Sequence, residues 1–354
     1  MLEAPAFAGD RRARARTAVL VIAAAVILTA IVSLGVGPSH IAPSDVVRIL
    51  LQGPSASHGS ADGLIVWRIR LPRLVLGLSV GASLATSGAL LQGLFRNPLA
   101  DPGLIGVSSG AALAAVATIV LGTGLLAAPV AALSIYALPV MAFVGALANT
   151  LLLYAISTRR GQTSVATLLL GGIALGAAAG AITGFLVFLS DDRQLRDFTF
   201  WSLGGLGGAT WQNIAVSGSA MLVVVAAAPF LARGMNAIAL GEAQAFHLGT
   251  EVQTLKRIAI VLVALSTGAA VAASGTIGFV GLVVPHLLRL TIGPDHRTLL
   301  PGSALLGGGM LVLADMAART VAAPAELPIG IVTAAVGAPF FIWILLRRSG
   351  LPEF

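Results

Sequence analysis

LSVGASLATSG, residues 78–88, returns 187 positions later as LSTGAAVAASG, residues 265–275, with seven of eleven residues unchanged. Both copies set glycine, alanine, serine and threonine in a sparse aliphatic frame. Small residues of this kind let helix backbones approach closely inside a bilayer, where lipid tails give no hydrophobic reason to associate. The composition around the repeat agrees. Hydrophobic residues make up 57% of the 354 and charged residues only 10%, against about 25% charged in soluble domains. Spans of roughly 20 apolar residues read at 17–36, 72–94, 103–122, 129–157, 164–189, 211–231, 256–273, 276–292, 299–318 and 328–347. The fold class is therefore an all-α polytopic membrane protein of about ten spans, one transmembrane domain over 1–354. The run 17–35 is too long for the apolar core of a signal peptide, so it reads as a first span anchored by Arg11, Arg12, Arg14 and Arg16.

Lysine and arginine set the orientation. With the basic segment 1–16 inside, fourteen basic residues fall in inner segments and seven in outer ones, which places both termini in the cytoplasm. The first copy of the repeat then runs outside to inside and the second inside to outside. The same offset places Pro98 on Pro285. An inverted internal repeat is a construction common among transporters.

Several chemistries are excluded. With no cysteine there is no disulfide, thiolate metal site or cysteine nucleophile. The five histidines show no helical pairing, so no metal site and no resident cofactor are expected. Basic residues are scattered rather than clustered with aromatics, against a nucleic-acid partner. G-x-x-x-x-G-K-[ST] is missing, so any ATP that drives this chain is bound by another one. GVSSG, 106–110, fits the G-x-S-x-G serine elbow, but an elbow needs a strand before the serine. Here a proline turn precedes Ser108 and an apolar helix follows, so tight packing of small residues is the better reading. Ion-coupled carriers bury ionisable groups in their spans. Asp315, four residues before Arg319, is the one acid well inside a span, and His286 lies beside Pro285. An ion-coupled secondary carrier is thus the alternative from another class, on thin support.

Two polar stretches interrupt the apolar pattern. FRNPLADPGLIGVSSGAALAAV, 95–116, puts two prolines in a corner they stiffen. Asp101 there can cap the next helix, with Pro102 at its first position. The inner connection 232–255 reads as short surface helices broken at Gly241 and Gly249. Such a loop either presents a face to a soluble partner or merely connects.

RLPRLVLGLSVGASLATSGALLQGLFRNPLADPGLIGVSSGAA (70–112), GTIGFVGLVVPHLLRL (275–290) and AELPIGIVTAAVGAPFFIWIL (325–345) resemble the FecCD family of bacterial ABC importer permeases. That family brings ferric siderophores, haem or cobalamin across the inner membrane. The resemblance implies a permease homodimer with two ATP-binding subunits beneath and a periplasmic substrate-binding protein above; the permease itself is no enzyme. It makes the 95–102 corner a cytoplasmic gate, with Asn97, Pro98 and Leu99 at the dimer axis. It lines the path with the fifth span, through Gly172, Gly176, Gly180, Phe185 and Phe188, plain helix packing being the alternative for the glycines. ATPase coupling falls to Gly241, Glu242, Ala245, His247 and Gly249. Docking of the binding protein falls to Arg70, Arg73 and Arg319, for which snorkelling to headgroups or local pairing, of Arg319 with Asp315 or Glu326, is the alternative. The wording of 96–112 leans toward an iron chelate, haem before siderophore, with cobalamin as the alternative.

Overall fold

The computed structural model describes residues 8–57 and 59–348. The start of the basic segment 1–16 and the last residues of the expected cytoplasmic C-terminus lie outside the described residues. In chain order the helices are α1 (Ala8–Gly35), α2 (Pro43–Ser57), α3 (Ala61–Leu94), α4 (Val107–Leu121), α5 (Ala127–Ser157), α6 (Val165–Phe188) and α7 (Asp192–Leu203). There follow α8 (Trp211–Ala239), α9 (Glu242–His247), α10 (Val252–Ser274), α11 (Val280–Ile292), α12 (His296–Thr320) and α13 (Ile329–Arg348). Seven are long and apolar enough to cross a membrane, and α4, α11 and α13 are shorter apolar helices, which together match the ten spans read from sequence.

The differences lie at span ends. Residues 37–71, left between the first two spans read from sequence, fold α2 and the first ten residues of α3, whose segment Ile65–Arg70 is a π-helical turn. Residues 190–210, left between the fifth and sixth spans, fold α7. Its signal was present in the sequence: Asp191 accepts from the Arg193 and Gln194 backbones while the Gln194 side chain accepts from the Asp191 N–H, a reciprocal capping box. The span expected at 211–231 continues to Ala239, and the one at 276–292 starts only at Val280, after Phe279 in the left-handed region.

Hydrogen bonds fix the relative directions. Arg73, in the first half of α3, bonds Asp315 near the end of α12, so these two helices are antiparallel. Ser274, at the end of α10, accepts from Gly205 N, and Gly204 O accepts from Ile329 N, at the start of α13. Glu326, just before α13, reaches Arg73. The α3 start and the α10 end therefore share one end of the bundle, and the two repeat copies cross in opposite directions. Following the arginine count, that end is called outer. The described ends of the chain, at the start of α1 and the end of α13, are both inner.

The repeat glycines are contact points. A Cβ on Gly81 would overlap the Gly307 backbone of α12, and one on Gly88 would overlap the Gly281 carbonyl of α11. In the second copy Gly268 lies against Phe143 and Ala146 of α5. Each copy thus packs on a helix of the other half: α3 on α12, and α10 on α5. The matched prolines diverge. Pro98 lies in a loop, whereas Pro285 lies inside α11.

Candidate functional site

The inner corner between α3 and α4 is built by local hydrogen bonds. Arg96 turns the chain with a positive φ of 48°. The Asn97 carboxamide oxygen accepts from Leu99 N at 2.9 Å, and the Asn97 carbonyl accepts from Ala100 N at 3.1 Å. Asp101 then accepts from Gly103 N at 2.8 Å and caps the 3₁₀ turn Pro102–Ile105. The expected cap and first-position proline are present, on this turn rather than on α4 itself. Asn97 and Pro98 are half-buried and Leu99 is exposed at the tip. GVSSG does structural work: Ser109 Oγ and Asn149 Nδ2 both donate to the Gly106 carbonyl, and a Cβ on Gly110 would overlap Gly145 of α5. Among the described residues no strand precedes Ser108.

Behind the corner lies a polar clasp. Gln92 accepts from the Arg289 guanidinium and donates to Leu282 O at 3.2 Å, tying the α3 end to α11. Arg289 also reaches Ala89 O. Asn97 N donates to Gln92 O, so the corner hangs directly on the clasped residue. Further along, Asn236 of α8 donates to Asp295 at 2.7 Å and accepts from His296 N and Nδ1. Corner, α11–α12 turn and inner end of α8 thus form one connected unit. The sequence reading missed Gln92, Arg289 and Asn236. Polar residues at the ends of apolar runs were the available signal.

The five residues of α6 expected to line a path divide. A Cβ on Gly172 would overlap the Leu104 carbonyl, so this glycine permits packing against the 3₁₀ turn. Gly176 meets only Ser109 Oγ at 3.9 Å, and Gly180 has nothing within 4 Å. Phe185 and Phe188 are 61% and 83% exposed. One face of the outer two-thirds of α6, carrying Gly180, Gly184, Phe185 and Phe188, is therefore uncovered within this chain, while Ala179 and Leu186 are buried.

The 232–255 connection contains the expected broken helices. Gly241 (φ 117°) and Gly249 (φ 80°) bracket α9 in backbone conformations that favour glycine. Two of the expected contact residues are engaged within the chain, although the Glu242 side chain stays 43% accessible. Ala245 is fully buried, and Glu242 pairs with Lys256 Nζ of α10 at 2.7 Å. The outward face belongs instead to Leu240, Phe246 and Leu248, at 65%, 72% and 66% exposure, together with His247.

At the outer end, Arg70, Arg73 and Arg319 cluster as their rim positions suggested, but they are buried rather than presented to solvent. Arg73 Nε bonds Asp315 Oδ1 at 2.8 Å and its NH1 bonds Glu326 Oε2 at 2.8 Å. Arg319 Nε bonds Asp315 Oδ2 at 2.9 Å, the i, i+4 pair that sequence offered as the plainer alternative. Arg319 also donates to the Val36 and Ser33 carbonyls, and Arg70 to those of Leu34 and Ser39. Four carbonyls at the C-terminal end of α1 and just beyond it, of the kind a helix end leaves unsatisfied, are met by two cations, which the helix dipole also favours there. Glu326 is the exposed member of this knot, with 45% of its side chain accessible.

Seven long apolar helices and three shorter ones among the described residues, with opposed repeat halves, close glycine crossings and a capped inner corner, define a multi-pass helical membrane protein of the construction common among transporters. Comparison with known proteins agrees. The chain belongs to the FecCD transport family, which matches residues 25–347. It is a membrane permease of the ABC-importer class, which in bacteria resides in the inner membrane. The hemin transport system permease protein of Yersinia pestis is 49% identical over 284 residues, 80% of this chain and 84% of that one. A cobalamin import system permease of Halobacterium salinarum is 48% identical over 288 residues, 81% of this chain and 74% of that one. The vitamin B12 import system permease of Salmonella arizonae is 42% identical over 343 residues, 97% of this chain and 98% of that one. Among solved structures, an inward-facing metal-chelate type ABC transporter superposes with a TM-score of 0.80 at 30% identity, covering 94% of this chain and 99% of that one.

Proposed function

We propose that this chain is the single-domain membrane subunit of an ATP-driven importer that carries an iron chelate inward, haem before ferric siderophore. In this reading it acts as a homodimer with two ATP-binding subunits on the inner side and a substrate-binding protein on the outer side. The observation that carries the path is the bare face of α6, where Gly180 and Gly184 meet nothing within 4 Å. A second copy set against that face would enclose a channel wide enough for a large, flat ligand, with few polar groups to trap it. Identity of 49% to a hemin permease supports haem. End-to-end likeness to a vitamin B12 permease supports cobalamin as the second reading. Against an ion-coupled carrier, the carboxylate of Asp315 is held by two guanidiniums. The deciding experiment measures uptake of haem, ferric siderophore and cobalamin into vesicles holding the permease, its ATPase and its binding protein. Haem uptake that needs ATP supports the proposal. Uptake driven by a proton or sodium gradient without ATP ends it, and cobalamin uptake alone selects the second reading.

Gly180→Leu should leave folding within about 0.5 kcal/mol, because the position is open and surface changes of this kind are small. It should nonetheless cut uptake severely by filling the channel. Full uptake by a correctly assembled variant would remove α6 from the path.

We assign ATPase contact to the apolar knob Leu240, Phe246 and Leu248 rather than to Glu242. Phe246→Asp should weaken association with the ATP-binding subunit by about 2 kcal/mol, roughly thirtyfold, as for a central aromatic anchor. A pull-down that recovers the ATPase undiminished would place the contact elsewhere. Docking of the binding protein at the outer rim remains part of the proposal, carried by exposed groups around the arginine knot such as Glu326 and Arg68.

A further inference from the structure

At the inner end, a cleft of about 430 Å³ opens between α1 and α12, lined by Arg16, Val19, Leu20, Arg297, Thr298 and Pro301. That volume lies within the roughly 300–1,000 Å³ of ordinary ligand sites. Its walls are ordered along the membrane normal. Arg16 and Arg297 stand at the cytoplasmic mouth, and Val19, Leu20 and Pro301 lie deeper. Both guanidiniums are exposed, and among the described residues neither has a protein partner. Asp295 also borders the cleft, but its carboxylate accepts from Asn236 Nδ2 and from Arg297 N. The Thr298 hydroxyl donates to the Asp295 carbonyl, which leaves recognition to the two arginines.

The other flank of α1 repeats the pattern. A groove of about 680 Å³ has Arg14 at its inner end and an apolar wall of Val21, Ile22, Leu287, Leu288 and Leu306 beyond. Between the two grooves α1 packs on α12 through close contacts at glycine. Gly302 admits Val19, and Gly309 admits Val26 so closely that a Cβ there would sit 2.7 Å from its Cγ2. Only 17% of the apolar window of α1 is buried within the chain.

We infer that the Arg16–Arg297 cleft binds an anionic glycerophospholipid of the inner leaflet, with its phosphate held between the two guanidiniums. Cation first and hydrocarbon beyond is the order of a phospholipid in that leaflet, and arginine suits phosphate as a bidentate donor. Such a lipid would bridge the inner ends of α1 and α12, filling the cleft that opens beside their glycine contacts. No transported substrate is involved.

The test uses the full chain in detergent, with bound lipid counted by native mass spectrometry during titration with phosphatidylglycerol or with phosphatidylcholine of the same acyl chains. Phosphatidylglycerol should be retained about tenfold or more over phosphatidylcholine, the scale expected of two basic side chains facing an anionic headgroup. Arg16→Ala with Arg297→Ala should bring that ratio near one. Arg159→Ala with Arg160→Ala, at another exposed inner turn, should leave it unchanged. Millimolar inorganic phosphate should not displace the lipid. If the Arg16/Arg297 variant aggregates, Leu20→Trp, which fills the apolar half, must give the same loss. The proposal is overturned if either lipid is retained equally, if the Arg159/Arg160 variant loses as much, or if phosphate competes.

Discussion

Asp315→Ala should destabilise the protein by about 3–5 kcal/mol, the cost of removing one partner from a buried ion pair. Asp315 is only 3% exposed and holds Arg73 on one oxygen and Arg319 on the other. Without it two guanidiniums face each other across a buried gap, with Glu326 left to serve Arg73 alone. Asp315→Asn keeps the shape and one acceptor, so it should lose less. Thermal unfolding in detergent, followed by tryptophan fluorescence, gives the difference. Equal stability of Asp315→Ala and wild type would mean that the knot is not structural. The same geometry warns against testing docking by reversing Arg70, Arg73 and Arg319 to glutamate together. Three new carboxylates would crowd Asp315 and Glu326 and unseat the end of α1, so lost uptake would report a damaged fold. Exposed rim positions such as Arg68 provide the cleaner test.

Gly88→Ala should cost about 3 kcal/mol, the upper part of the range for overpacking. The added Cβ would fall on the Gly281 carbonyl, which belongs to backbone and cannot swing aside. α3 and α11 would have to separate, pulling on the Gln92–Arg289 clasp that carries the corner. Reduced yield of folded protein and loss of uptake are expected together. Gly184→Ala is the control, because nothing lies within 4 Å of its Cβ position and alanine outscores glycine in helices by about 1 kcal/mol. A Gly88→Ala protein as stable as that control would show that the helices repack freely.

The ten spans, their opposed halves and the corner cap at Asp101 were readable, because hydrophobic length, small-residue repetition and proline position act locally. The directions of individual side chains were not. Arg70 and Arg319 read as rim charges since each sits at the end of an apolar run. Nothing in their neighbourhood says that the end of α1 folds over them, more than thirty residues away from Arg70 and 283 from Arg319. Gly172 and Gly176 look alike in sequence, yet only Gly172 meets the carbonyl of Leu104. Glu242 read as a contact residue, yet its carboxylate pairs with the buried Lys256 of the next helix. In each case the deciding partner lies on another element, which periodicity cannot locate.

The exchange of partners between the two halves sets a timetable for biogenesis. Arg73 and its carboxylate partner Asp315 are 242 residues apart. At a synthesis rate of about 5–20 residues per second, α3 enters the bilayer tens of seconds before α12 exists. Through that interval it carries an uncovered glycine groove and an unpaired guanidinium. A product terminated after the first half would expose both permanently, the kind of surface by which membrane quality control distinguishes an orphan from a finished chain.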